Sequence, residues 1–263
     1  MTSCKICGSI TDIVFSAKLL NKHQVDFFKC HNCEFLFSEE PYWLEEAYSS
    51  AISIADTGIL QRNIEIVNRL IVILYLLGCD FNQDKFIDYA GGGGILVRLL
   101  RDRGLDFYWY DKYCQNWVAN GFEADLNSTY KTLTVFECFE HFSNPVSEVQ
   151  ELFKYSDLII FTTELIPEPI PDMDWWYYSF TTGQHISFYS AKTLDYLAKK
   201  FEVNFYTING IHFFSKGKIP KFKLGLINKV LTNRLWQKLL LRNMKLEPKI
   251  YSDHIKILNK LDE

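Results

Sequence analysis

The sequence predicts an α/β chain: a parallel sheet wrapped by helices on both faces, preceded by a cysteine-rich module and followed by a helical extension. Three observations predict this. Strand-like and helix-like patterns alternate from residue 85 to residue 214, the mark of a parallel sheet with crossover helices. Two Cys-x-x-Cys pairs, Cys4/Cys7 and Cys30/Cys33, stand 22 residues apart near the start. Beyond residue 214 the chain turns basic, with 12 Lys+Arg against 4 Asp+Glu. The overall charge of −4 is therefore an average over a +8 tail and a −12 remainder. The boundaries that follow are 1–45, 46–214 and 215–263.

Composition excludes several classes of protein. With 48% hydrophobic and 16% aromatic residues, apolar surface suffices to offset the entropy of folding, so a disordered chain is ruled out. No run approaches the ~20 apolar residues that span a bilayer. Leu70 to Leu77 comes nearest and stops at Gly78. The first residues, with Cys4, Lys5 and Cys7, show no apolar segment of a signal peptide, so a cytoplasmic protein is expected.

The first module rests on its cysteines. A Cys-x-x-Cys knuckle turns two thiolates onto one face, and two knuckles complete a tetrahedral four-sulfur site that suits Zn²⁺. Gly8, just after the first pair, is free to take positive φ in the knuckle. Ile13-Val14-Phe15 and Val25-Asp26-Phe27-Phe28 read as a small hairpin, hence a zinc ribbon. Four thiolates close the coordination shell, so the metal is structural. A thiol redox pair would need only one such motif. His23 and His31 are alternative ligands, more commonly solvated. Seven cysteines in all, an odd number, argue against a disulfide framework, and Cys79, Cys114 and Cys138 read as small core residues.

Helical spacing of Ile59, Leu60, Ile64, Val67, Leu70, Ile71 and Leu74 predicts a helix over 59–77, ended by Gly78. A short apolar strand, Phe86 to Ala90, then meets four glycines, Gly91 to Gly94. A helix from Ile95 to Arg103 and a strand from Asp106 to Tyr110 follow, ending at Asp111. Glycines between a strand and a helix N-terminus let a ligand approach the backbone closely. Asp111, 18 positions after Gly93, is placed to accept from a ribose diol. A dinucleotide fingerprint would need glycine where Leu96 stands. Asp88, inside the strand just before the glycines, would repel a pyrophosphate but attract an ammonium. S-adenosylmethionine (SAM) has a ribose, an ammonium and no phosphate, so these residues favour it over a nicotinamide dinucleotide.

The same residues resemble class I SAM-dependent methyltransferases. Asp88-Tyr-Ala-Gly-Gly-Gly-Gly94 is similar to their first motif, and Trp109-Tyr-Asp-Lys112 to their second-strand acid. Phe136-Glu-Cys-Phe-Glu-His-Phe-Ser-Asn-Pro145 resembles their fourth-strand segment, and Gln184-His-Ile-Ser-Phe-Tyr-Ser190 a later element of the group. The N-terminal four-cysteine module is similar to that of deoxysugar C-methyltransferases. The resemblance covers about residues 1–214. It implies a Rossmann-like seven-stranded methyltransferase sheet and a SAM site formed by Asp88, Tyr89, Gly91, Gly93, Asp111, Lys112 and Glu137. It also implies a small sugar-like acceptor.

The remaining elements follow from the pattern. Leu133 to Cys138 and Ser156 to Thr163 read as strands, Val203 to Ile208 with Ile211 to Phe214 as a terminal hairpin, and 145–154 and 191–200 as helices. Asp88, Asp111, Glu137 and the loop 164–189 then lie at the carboxyl edge of the sheet, where ligands bind. Methyl transfer to a hydroxyl or carbon acid needs a base, and histidine titrates in the right range. His141 and His185 are the candidates, with Glu140 to orient a histidine or hold the acceptor. The loop around Trp175, Trp176, Tyr177, Tyr178 and Phe180 reads either as a lid over the acceptor or as residues covering the core.

In the tail, Leu226, Ile227, Val230, Leu231, Leu235, Leu239 and Leu240 form an apolar stripe beside Lys229, Arg234, Lys238 and Arg242. Such a helix would dock on the acidic body, bind phosphates of an activated substrate, or lie on an anionic membrane surface. Nucleic acid is not an expected partner, because the body is acidic. The sequence therefore predicts SAM-dependent methyl transfer to a sugar, nucleotide-sugar or cell-envelope glycan intermediate in polysaccharide biosynthesis. Two other readings stand beside it: a zinc-ribbon binding module on a non-catalytic methyltransferase scaffold, and a methyltransferase for RNA or protein. Oligomeric state leaves no mark in the sequence.

Overall fold

A computed structural model describes residues 2–49, 52 and 56–261. In chain order the strands are β1 (Thr11–Leu19), β2 (His23–Cys30), β3 (Leu36–Ser38), β4 (Lys85–Tyr89), β5 (Asp106–Tyr110), β6 (Thr132–Val135), β7 (Leu158–Phe161), β8 (Ser187–Phe188), β9 (Asn204–Ile208) and β10 (Ile211–Ser215). The helices are α1 (Leu44–Ala47), α2 (Ile59–Leu77), α3 (Ile95–Asp102), α4 (Pro145–Leu152), α5 (Ala191–Lys200), α6 (Lys221–Leu231), α7 (Arg234–Asn243) and α8 (Ile250–Leu261). Short 3₁₀ turns cover Phe139–His141 and Trp176–Tyr178. The chain folds as two compact units: Met1–Ser53 with Phe136–Lys154 and Ile160–Gly217, and Ile54–Val135 with Tyr155–Ile159 and Lys218–Glu263.

The main sheet has six strands in the order β5-β4-β6-β7-β10-β9. β4 pairs parallel with β5 and with β6, while β9 and β10 form an antiparallel hairpin. The mixed α/β class expected from the sequence is what the chain adopts, but with six strands where the sequence analysis expected seven. Residues 112–131 form turns, with only an isolated bridge between Trp109 and Glu123. Asn116, Asn120, Gly121, Asp125, Asn127 and Ser128 crowd this segment, and such side chains compete for backbone hydrogen bonds that a ladder would use. β6 also stops at Val135, short of the expected Cys138, because Glu137 takes a left-handed backbone (φ 50°).

In the second of these units, α2 forms where the apolar spacing placed it. Val67, Leu70, Ile71 and Leu74 are buried, and Gly78 (φ 92°) ends the helix with a conformation that a side chain would strain. α8 returns to α3 through a buried ion pair: Arg101 donates from Nε and Nη2 to the two oxygens of Asp253 at 2.8 and 2.7 Å. The tail is thus three helices rather than one amphipathic helix. Ile227 and Val230 of α6 are buried, whereas α7 buries no residue. Asn233 breaks the stripe by capping α7, its side chain accepting from Leu235 and Trp236 N–H.

In the first unit the expected hairpin is β1–β2, closed by residues 20–22 and irregular between Ile13 and Phe15. It extends into a four-stranded antiparallel sheet, β1-β2-β3-β8, in which Leu36 faces Phe188 and Phe37 faces Ser187. Beneath it lies a core of Val25, Phe27, Leu36, Trp43, Tyr178 and Phe188. Of the aromatic loop, Tyr177 and Tyr178 are 1% exposed and belong to this core, while Trp176 is 71% exposed. The core-covering reading of the loop therefore holds for Tyr177 and Tyr178. Cys79, Cys114 and Cys138 are only half-buried, so none is the core residue expected.

Candidate active site

In the second unit, β4 delivers Asp88 and Tyr89 into the glycine turn. Ala90 (φ 57°), Gly92 (φ 53°) and Gly94 (φ 83°) take left-handed backbone there. Gly91 and Gly93 are required for a different reason, namely close approach. A Cβ on Gly91 would sit 2.9 Å from Asp88 Oδ2 and from the Trp109 ring, and one on Gly93 would overlap the Trp117 ring. Trp109 through its indole and Trp117 through its backbone also fasten the turn. Trp109 Nε1–H donates to Gly92 O at 2.8 Å, and Trp117 N–H to Gly93 O at 3.0 Å. These tryptophans were absent from the expected site; Trp109, at the end of β5 beside Asp111, was the available signal.

Asp88 is 3% exposed and accepts the Thr134 hydroxyl at 2.7 Å. Burial, with a smaller push from the charge of Asp111, raises its carboxyl to about 7. Asp111 accepts from Gly92 N–H through Oδ2 at 2.9 Å, and from Tyr113 and Cys114 N–H through Oδ1 at 2.7 and 2.8 Å. The acid expected to meet a ribose thus also ties β5 to the glycine turn. Tyr89 packs against the rings of Tyr110 and Tyr155. Lys112 lies with its ammonium 5.1 Å from the Tyr113 ring centroid.

The first unit holds the other expected residues. Glu137 is exposed, and its Oε1 accepts from the Thr162 hydroxyl at 2.6 Å. Glu140, His141 and His185 come together. The 3₁₀ turn carries Glu140 and His141, and the step into β8 carries His185, so the imidazole centroids lie 5.0 Å apart and nearly perpendicular. His141 Nδ1–H donates to Gln184 O at 3.0 Å, and His185 Nδ1–H to Tyr177 O at 2.6 Å. Burial lowers His141 to about 3, helped by the charge of His185 and opposed by the carbonyls of Gln184 and Glu137. Burial likewise lowers His185 to about 4.

Glu140 is fully buried, and neither carboxylate oxygen has a hydrogen-bond partner among the described residues. Burial raises its carboxyl to about 8, with a further push from Glu137, and the nearby Tyr177 and Thr163 hydroxyls offset only part of this. Those two hydroxyls lie 3.0 Å apart, and Tyr177 Oη also accepts Glu164 N–H. Tyr177, named only as part of the aromatic loop, stands against His185, and Tyr48, which was not anticipated, against His141. No local motif marks them, because their roles depend on distant chain segments.

The four N-terminal cysteines converge as the spacing required, with their sulfurs all within 4.8 Å of one another. Cys4 and Cys33 Sγ are 3.5 Å apart, and Cys7 and Cys30 Sγ 3.3 Å. Backbone N–H of Ile6 points at Cys4 Sγ, and that of Asn32 at Cys30 Sγ. Such donors hold negative charge on sulfur, so this set fits a soft divalent cation. Neither alternative ligand joins it: His31 pairs with Asp12 and His23 with Glu46. The second knuckle is braced by α5, where the Thr193 hydroxyl donates to Cys33 O at 2.8 Å.

Among solved structures, the chain is similar to the plantazolicin methyltransferase BpumL in complex with SAH, at 11% identity and a TM-score of 0.46. That match covers 79% of this chain and 91% of the other. It is also similar to magnesium protoporphyrin IX methyltransferase (ChlM) from Synechocystis PCC 6803 with bound SAM, at 12% identity, TM-score 0.39, and 67% and 93% coverage. For the mitomycin 7-O-methyltransferase MmcR the values are 11% and 0.40, and the match spans 65% of this chain but 59% of that one. No curated protein matches the chain. A model of the methyltransferase domain matches residues 61–207, more than half of the sequence, from α2 through the glycine turn to β9. The chain accordingly belongs to the methyltransferase-domain family.

Proposed function

We propose that this enzyme transfers the methyl group of SAM to a small sugar-like acceptor, a nucleotide-sugar or glycan intermediate of cell-envelope polysaccharide synthesis. One observation carries the cofactor half of this reading: a buried carboxylate, Asp88, lies directly under the glycine turn, where a phosphate would be repelled and an ammonium attracted. Gly91 and Gly93 leave the backbone open to the cofactor, and Asp111 takes the ribose hydroxyls, with Tyr89, Lys112 and Glu137 completing the contacts. The acceptor's proton is handled at the cluster of Glu140, His141 and His185, the residues expected to supply the general base. Aromatic faces such as Trp176 suit a sugar ring.

Zn²⁺ on Cys4, Cys7, Cys30 and Cys33 is structural in this reading, since four thiolates leave no open position. The stretch 1–45 serves as the zinc module, 46–214 as the methyltransferase domain and 215–263 as the tail, in a cytoplasmic enzyme. α7 supports contact with an anionic membrane surface: Leu235, Trp236 and Leu239 are exposed beside Arg234, Lys238 and Arg242. The test is SAM binding by calorimetry, followed by labelled-methyl transfer to a panel of activated sugars. Gly93→Ala should weaken SAM binding at least tenfold, since its Cβ displaces Trp117 from the turn. Failure of the intact protein to bind SAM would remove the reading.

A further inference from the structure

Three donors outside the cysteine cluster also converge. One ligand atom each of Glu140, His141 and His185 lies within 4.8 Å of the other two. We propose that these residues form a second metal site, one that holds a divalent first-row cation through two imidazoles and a carboxylate.

Three independent features point to it. First, Glu140 is fully buried with both oxygens lacking a hydrogen-bond partner, and a buried carboxylate without partners calls for a counter-charge. No lysine or arginine pairs with Glu140 among the described residues, so a cation from solution is the group that fits. Second, each imidazole spends Nδ1–H on a backbone carbonyl, Gln184 O or Tyr177 O, which orients the ring and makes Nε2 the unprotonated nitrogen of the neutral imidazole. A carbonyl behind a ligating histidine is the usual support of such a ligand. Third, the span is right. Donors about 2.1 Å from one ion stand at most ~4.2 Å apart, so a shift of under ~1 Å brings the three onto one cation.

The donor set also separates this site from the four thiolates. Two imidazoles and a carboxylate suit Mn²⁺, Fe²⁺, Co²⁺ or Zn²⁺ and leave further coordination positions open, whereas four sulfurs select a soft ion and close its shell. His141 and His185 are half-buried while Glu140 is enclosed, so the open positions lie on the imidazole side. The inference rests on the methyl-transfer reading and replaces its histidine general base with a bound cation. An acceptor hydroxyl bound to the cation is a stronger acid, so the imidazoles act as ligands and the released proton passes to solvent.

The probe is Mn²⁺ alone, which the thiolate site disfavours. Full-length protein carrying zinc on its cysteines is titrated with MnCl₂, and free Mn²⁺ is read by electron paramagnetic resonance. One Mn²⁺ should bind per chain, with ¹⁴N coupling from imidazole in the spin-echo spectrum. Glu140→Gln, which keeps the side chain's shape, should weaken binding at least tenfold. If that variant does not fold, the ¹⁴N coupling in the unmodified protein decides the question. Absence of bound Mn²⁺ at millimolar concentration, binding without ¹⁴N coupling, or unchanged affinity in Glu140→Gln would overturn the proposal. SAM binding is measured separately on the Mn²⁺-free protein. Its loss with Mn²⁺ binding intact would count against the cofactor reading, and the converse against the metal site alone.

Discussion

Proton linkage at Asp88 gives the sharpest test of the cofactor site. Its carboxyl, 3% exposed, sits at about 7, against an ordinary value near ~3.9 for an unfolded aspartate. The folded protein therefore holds this proton more tightly than the unfolded chain does. Stability from this group is largest below the unfolded value and declines as pH rises toward about 7, by ~4 kcal/mol for three pH units. An ammonium placed at Asp88 favours the ionised form, so SAM binding at pH 6 should release about 0.9 proton. Affinity should rise about fiftyfold between pH 5 and pH 7 and then level off. Calorimetry in two buffers of different ionisation enthalpy measures the protons released, and titrations along the pH series measure the slope. Asp88→Asn should flatten the slope, weaken binding at pH 7 and raise the melting temperature at pH 8, where the native carboxylate is ionised and buried. An affinity constant within twofold from pH 5 to 7, or an unchanged slope in Asp88→Asn, would refute the placement of the ammonium.

Two further outcomes test what supports the sites. Asp253→Ala should cost ~3–5 kcal/mol in urea unfolding, because it strands the buried Arg101, leaving only Asp106 at 2.7 Å and Phe107 O at 2.9 Å. Burial opposes ionisation of Asp253, but Arg101 and Arg98 outweigh it and lower the carboxyl; the stability it contributes is present above the ordinary carboxylate range and disappears as pH falls below it. Acid titration of the variant against the parent checks this, and equal stabilities at every pH would defeat it. At the cysteine cluster, one Zn²⁺ per chain should be released by thiol modification, with a lowered melting temperature. Reduced protein that holds no zinc would show that the thiols act without it.

Much of this chain was legible because its signals are local. Gly78, the glycine turn, the end of β5 at Asp111 and the apolar spacing of α2 all depend on residues within a few positions of one another. The absent seventh strand shows the limit of such reading. Residues 112–131 run from β5 to β6 without forming a strand, and their Asn, Asp and Gly content favours turns. The tail shows another limit, for its apolar stripe runs across Asn233 as though continuous, while the Asn233 side chain caps a new helix there.

The sequence by itself determined the parallel-sheet class, the glycine turn flanked by Asp88 and Asp111, and the two cysteine knuckles, since short-range chain geometry enforces each. Tertiary structure alone decided that β8 pairs with β3, that Arg101 meets Asp253, and that His185 comes to lie beside His141 and the buried Glu140. Those neighbours are brought together by burial and strand pairing between segments far apart along the chain. A pattern read along one segment carries no record of which distant segment will cover it, and in this enzyme that record is what assembles the candidate metal site.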